Sequence, residues 1–187
     1  MTRMNNDAVS PVVGVMLMLV VTIIIAAIVS AFAGGLSESN DKAPNVQIVG
    51  HYSQDQGMWF ENEGPDDVST ASTTVLVRLS DSFGNAEHMV WTVNKTSITN
   101  SSAIPTTESA ADKFRWFKAG GYTGIKAFKV GDRAYIVPPY HNSTFLQPDA
   151  SSTYSISNPD NLGGSFYIEL IDKSGKIFAK TKVKIEP

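Results

Sequence analysis

The sequence predicts an α+β protein, one long N-terminal apolar α-helix followed by an antiparallel β-sandwich, and three observations predict it. Ala8 to Ser37 is a run of thirty residues without a charge. Beyond Glu38, apolar and polar residues alternate with the period of two that marks half-buried strands. No long segment after Glu38 repeats at the helical period, and clusters of Gly, Pro, Asn and Asp cut that region into about eight short strands.

Within the uncharged run, Val12 to Ala33 is 22 residues whose only polar side chains are Thr22 and Ser30. As a helix it is roughly 33 Å long at about 1.5 Å per residue, enough to cross a bilayer. Ser10 offers a hydroxyl N-cap, and Pro11 at the first helical position lacks an N–H that would have no partner there. Gly34-Gly35 supplies the left-handed residue that closes a helix, which therefore runs from Pro11 to Ala33. Val, Ile, Leu, Met and Ala cover it on all sides, so it has no polar stripe to face water and is not an amphipathic core helix. Ala26, Ser30 and Gly34 form one row at i, i+4 and i+8, with Ala27, Ala31 and Gly35 in a second row beside it. Such rows let helix backbones approach closely in an apolar medium. The competing reading is an ordinary single-span anchor.

Ahead of the helix, Met1 to Asp7 is a short polar leader with one basic residue, Arg3. A secretory signal would carry an apolar region of about 7 to 15 residues and then a small-residue cleavage site. Here the run is longer, and the small residues Ala31 to Gly35 lie at the far end of a full span. Arg3 and the N-terminal amine, set against Lys42 beyond Glu38 and Asp41, place the N-terminus inside and the rest of the chain outside.

The stretch Asp7-Ala8-Val9-Ser10-Pro11-Val12-Val13-Gly14-Val15-Met16-Leu17-Met18 resembles the N-terminus of archaeal type IV pilins, with its class III signal peptide, Val-Ser-Pro-Val-Val-Gly core and apolar helix. The resemblance covers residues 7 to 36. It implies that a prepilin peptidase cuts on the cytoplasmic side of the helix, with Asp7 at minus two, Ala8 at minus one and Val9 as the new N-terminus. Ala8 stands where the family more often has Gly. Val13 takes the fifth mature position, where bacterial type IV pilins carry glutamate, so the archaeal type is favoured. The implied organisation is a leader over 1–8 that is removed, an apolar helix over 9–36, a polar linker over 37–45 and an extracellular β-domain over 46–187. The implied function is that of a structural subunit of a type IV pilus-like surface filament, polymerising through its N-terminal helix and serving adhesion. Its partners would be further copies of itself in a helical filament, the prepilin peptidase and the assembly machinery. It would sit in the membrane as a precursor and at the cell surface once assembled. The alternative is a monomeric, membrane-anchored surface binding module, a minor pilin or adhesin.

In the β-domain, Val46, Ile48 and Gly50 mark a first strand. Val75 to Leu79 and Met89 to Val93 form a hairpin about a turn at Asp81–Asn85. Phe114 to Phe117, Tyr122 to Phe128, Ala134 to Val137 and Thr153 to Ile156 are further short candidates, and Ser97 to Asp112 reads as a long displayed loop. The last hairpin is the clearest. Phe166, Ile168 and Leu170 share a face, Asp172 to Gly175 turns, and Ile177, Ala179, Thr181, Val183 and Ile185 alternate with Lys176, Phe178, Lys180, Lys182 and Lys184. Lysine is a poor core residue, so that face is solvated or meets acidic neighbours. The whole suggests a sandwich of immunoglobulin-like or related type.

The residues argue against several classes of chemistry. A formal charge of −3 and the lack of a Lys/Arg cluster beside an aromatic platform speak against nucleic-acid binding. With no cysteine there is no disulfide framework, thiolate metal site or cysteine nucleophile. His51, His88 and His141 lie in unrelated contexts, and Asp66, Asp67 and Asp160 lack the spacing of a cation loop. No phosphate-binding loop or nucleophile elbow occurs. We therefore expect no catalytic, cofactor or metal site; the remaining enzyme reading, an exported β-domain hydrolase, lacks a catalytic constellation. Three sequons make Asn94, Asn100 and Asn142 candidate glycan acceptors. Trp59, Trp91, Trp116, Phe117, Tyr122 and Tyr140 are expected in the core or as exposed adhesive or subunit contacts.

Overall fold

The computed structural model describes residues 11–35, 44–103, 112–118, 120–121 and 124–187. The chain divides into two units, Met1–Lys42 and Ala43–Pro187. In the first, helix α1 runs over Pro11–Gly35 and takes in both glycines expected to close it. The proposed cap residue Ser10 and most of the linker over 37–45 lie outside the described residues.

Among its described residues the second unit has nine strands: β1 (Ile48–Ser53), β2 (Gly57–Asn62), β3 (Val68–Ser69), β4 (Thr74–Leu79), β5 (Val90–Thr92), β6 (Ala127–Phe128), β7 (Arg133–Ile136), β8 (Ser165–Ile171) and β9 (Ile177–Glu186). A single helical turn, α2, occupies Ser143–Leu146. Seven strands form one sheet in the order β5-β4-β8-β9-β1-β2-β7, and β3 pairs with β6 apart from it. Every pair is antiparallel except β1 with β9, which meet only at Tyr52↔Ile185 and Ser53↔Glu186. β9 thus serves both halves of the sheet: it pairs with β8 from Ile177 to Lys184 and reaches β1 with its last residues.

From that shared end β1 passes over the inner face of β8 and β9. A Cβ on Gly50 would stand 2.9 Å from both Ile168 Cδ1 and Val183 Cγ2, so the two sheet halves approach closely there. One residue pair along, the Tyr52 ring meets Phe166 edge-on at 5.5 Å. The sheet therefore curls until its inner faces share one core. The α+β class and the mostly antiparallel character stand as expected. The seven strands form one hydrogen-bonded order that curls on itself, its two halves joined through the short β1–β9 pairing.

The core centres on Phe60, Trp116 and Phe128, all fully buried. Their ring centroids lie 5.3 to 5.9 Å apart, and Phe60 meets both others edge-on. Each such pair contributes about 0.5–1.5 kcal/mol beyond the area it buries. The last hairpin follows its alternation: Phe166, Ile168 and Leu170 point inward. Its lysine face meets acidic neighbours. Lys180 Nζ lies 3.0 Å from Glu169 and Lys182 Nζ 3.1 Å from Asp81, with the Tyr167 ring 3.9 Å below Lys180.

Other strands depart from expectation for local reasons. The hairpin over residues 75–93 is present as β4 and β5, but a 3-10 segment over Asp81–Ala86 replaces a simple turn. Of Tyr122 to Phe128, only Ala127–Phe128 is strand, and Tyr122 lies outside the described residues. Phe114 to Phe117 contributes an isolated bridge from Arg115 to Thr99. Thr153 to Ile156 is not a strand but begins with a 3-10 turn over Ser152–Tyr154. There the buried Gln147 side chain stands in for a neighbouring strand, donating to the Tyr154 carbonyl at 3.1 Å and accepting from the Ile156 N–H at 2.7 Å. Residues 97–103 of the expected long loop are described, and 104–111 are not.

Candidate functional site

The feature that sets this chain apart is α1. Its 25 residues make a rod of about 37 Å at about 1.5 Å per residue. Every residue from Pro11 to Ala31 is exposed, and the large apolar side chains range from 46% exposed at Val13 to 72% at Met18. An apolar surface of that extent is not stable in water and marks a membrane or protein contact. Residues Pro11–Ala31 are long and apolar enough to cross a membrane. The one hydroxyl near mid-span is already satisfied: Thr22 Oγ1 donates to the Leu19 carbonyl at 2.8 Å. A polar group bonded inside its own helix enters hydrocarbon without leaving a donor stranded.

The small residues are arranged on this rod as their spacing requires. At roughly 100° per residue, Ala26, Ala27, Ser30, Ala31, Gly34 and Gly35 fall within about half a turn of the helix. Ile25, Ile28 and Val29 occupy the opposite half at the same level. One side of the C-terminal third of α1 is therefore low, and the other is bulky. Asp7, Ala8 and Val9, the expected cleavage residues, lie outside the described residues.

Residues 7–48 match the family described as archaeal type IV pilin, N-terminal. The N-terminal segment of this chain is similar to that of the archaeal type IV pilins. An uncharacterized protein of Archaeoglobus fulgidus is 35% identical over 78 residues, which is 40% of this chain and 55% of that protein. The chain thus spans about half the length of this relative. No solved structure matches it. The matched segment spans Asp7, Ala8 and Val9, the apolar run and the small-residue rows. Pilins are structural proteins, and the family match supports that class over a catalytic one.

In the β-domain the histidines stand apart. His51 stacks on Trp59 at 5.2 Å with Nδ1 3.5 Å from Glu186, and His88 lies beside Glu87 at 3.2 Å. Arg133 crosses the Trp59 ring at 4.9 Å and bonds Glu61 at 2.6 Å. The outer face of β1, β2 and β7 therefore carries a row that alternates charged and aromatic groups. Sequence alternation did not reveal it, because β2 bears large side chains on both faces and so shows no period of two. The sequon residues differ sharply. Asn94 and Asn142 are exposed, whereas Asn100 is partly buried and accepts from Trp116 Nε1 at 2.9 Å. Beside Asn94, burial holds the Lys95 ammonium below its ordinary value, with the Lys173 charge acting in the same direction.

Proposed function

We propose that this protein is a subunit of a surface filament, held in the membrane by α1 before assembly and packed through α1 in the filament core afterwards, with the β-domain coating the outside. The observation that carries the reading is the helix that is apolar on every side and bears six small residues on one half of its C-terminal third. The same surface is buried twice, first by lipid and then by neighbouring helices, so assembly exchanges one apolar environment for another. Leu, Ile and Val each favour the bilayer by about 0.3–0.6 kcal/mol near its centre, which holds the precursor in place. A low surface on one helix that receives the bulky side of the next is a heterologous contact, and repetition of such a contact gives an open helical polymer.

Processing follows from the same reading. Cleavage between Ala8 and Val9 by a prepilin peptidase removes the charged leader, with Asp7 at minus two, and leaves Ser10-Pro11 to cap the helix at the new terminus. N-terminal sequencing of the mature protein tests this. A start at Val9 supports it, and a start beyond Gly34 removes the whole span and with it the filament reading. The second reading, a membrane-anchored monomer that binds a surface, draws on the charged and aromatic row of His51, Trp59 and Arg133. Such a monomer would leave the small-residue rows without a role. In the filament this row would serve adhesion.

A further inference from the structure

We infer that Asn94 and Asn142 carry N-linked glycans side by side on one surface patch of the β-domain, and that Asn100 carries none. The inference rests on the export of the β-domain that the filament reading requires. All three asparagines share the acceptor pattern, so the pattern alone does not rank them. Geometry does.

The reacting atom is the side-chain amide nitrogen, Nδ2, which must reach solvent. Asn94 is exposed at the start of a 3-10 turn, and its Oδ1 accepts from the Thr96 N–H at 3.1 Å and from Thr96 Oγ1 at 2.8 Å. Asn142 is exposed at the start of α2, and its Oδ1 accepts from the Thr144 N–H at 3.2 Å. In both, the threonine two residues on fixes the oxygen end of the amide and leaves Nδ2 as the end that meets solvent. At Asn94 the threonine hydroxyl itself also polarises the amide.

Asn100 is bound at both ends instead. Its Oδ1 accepts from the indole N–H of the fully buried Trp116, and Nδ2 faces Asp132 Oδ2 at 3.5 Å. Asp132 Oδ2 also accepts the Lys129 N–H at 2.9 Å. A sugar on this nitrogen would displace a carboxylate that holds a turn and would disturb the amide that satisfies a core tryptophan.

The two exposed acceptors are neighbours in space, although 48 positions separate them in the sequence. The Asn94 N–H donates to the Phe145 carbonyl at 2.9 Å, and the Phe145 N–H donates to the Asn142 carbonyl at 3.1 Å. Partly exposed rings of Tyr140 and Phe145, packed edge to face at 4.9 Å, lie in the same patch and offer apolar surface to the first sugars. The donor is a lipid-linked oligosaccharide phosphate. Nδ2 bonds to the sugar C1, the bond from C1 to the phosphate oxygen breaks, the lipid phosphate departs with that electron pair, and the Nδ2 proton passes to a base of the transferase.

Glycopeptide mass spectrometry of the full-length protein from its own host, with Asn94→Gln, Asn100→Gln and Asn142→Gln variants, tests the inference. The expected result is one glycan on each of the Asn94 and Asn142 peptides. N94Q and N142Q should each lose one glycan mass, and N100Q none. A glycan on Asn100, or a bare Asn94 or Asn142, overturns it. A bare protein that still begins at Val9 and forms filaments overturns the glycan inference alone. A bare protein whose β-domain is shielded from protease added outside the cell overturns the filament reading as well.

Discussion

Arg78 of β4 grips Glu169 of β8 at two points, Nε to Oε1 at 2.9 Å and Nη2 to Oε2 at 3.0 Å, and the carboxylate is fully buried although its strand position faces outward. Lys180 of β9 adds a third contact at 3.0 Å. Three strands are therefore tied through one acidic group. Burial pushes the Glu169 carboxyl up, but the bonds from Arg78 and Lys180 outweigh it and hold the group below its ordinary value of 4.5.

The sign of the pH dependence follows. A carboxyl whose value is lower in the folded state than in the unfolded one adds stability above the unfolded value, here near 4.5, and that stability is lost as pH falls through the folded value. Asp81, held down by Lys182, and Asp172, held down by Ser174, act in the same direction at the surface. The urea midpoint followed by tryptophan fluorescence should hold from neutrality to near pH 4.5 and fall as pH is lowered further. Glu169→Gln should flatten part of that response and cost about 1–3 kcal/mol at neutral pH, because Arg78 and Lys180 lose their partner while keeping some access to water. An unchanged pH profile in that variant would refute the assignment.

Gly64 should tolerate no side chain. A Cβ there would stand 2.5 Å from the Gln47 nitrogen and 2.6 Å from Val46 Cα, both backbone atoms that cannot rotate away. Gly64→Ala is expected to cost about 3 kcal/mol, at the upper end for overpacking. Gly50→Ala meets only methyl groups of Ile168, Val183 and Thr181 and should cost less. Chemical denaturation of the two variants in parallel checks the order.

The parts of this molecule that were legible in the sequence are those whose signal is local. The apolar run defines α1 because no partner is needed to read it, and the terminal hairpin keeps strict alternation over both strands. β2 stayed hidden because Met58, Trp59 and Phe60 place large side chains on both faces. Thr153 to Ile156 alternates like a strand, yet its hydrogen bonds go to the side chain of Gln147, a partner no periodicity can indicate. Glu169 reads as a solvent-facing acid, since Arg78, its cover, lies 91 residues away. In the candidate site, spacing alone places the small residues on one side of α1. Ranking the three sequons required the contacts of Asn100 with Trp116 and Asp132.

Bulk introduced on the low side of α1 separates filament from anchor. Ala27→Leu with Ala31→Leu should leave membrane insertion intact, since leucine favours the bilayer by about 0.3–0.6 kcal/mol. Filament yield should nevertheless fall sharply, because the helix backbones can no longer approach. Alkaline extraction of membranes and a count of filaments from the same cells measure the two effects separately. Equal yields from variant and parent would remove the role given to the small-residue rows.

Removal of residues 1 to 36 should give a soluble β-domain that remains monomeric, as the polymerising surface is then absent. Size-exclusion chromatography with light scattering reads this directly.

The central claim, that α1 forms the core of a polymer, is tested most directly by electron cryomicroscopy of the mature full-length protein from its host. Filaments are expected, with a bundle of α1 helices on the axis, Ala26 to Gly35 at the closest contacts and the β-domains outside. Mature protein that stays dispersed in the membrane, or filaments held together by β-domains with α1 at the periphery, would contradict it.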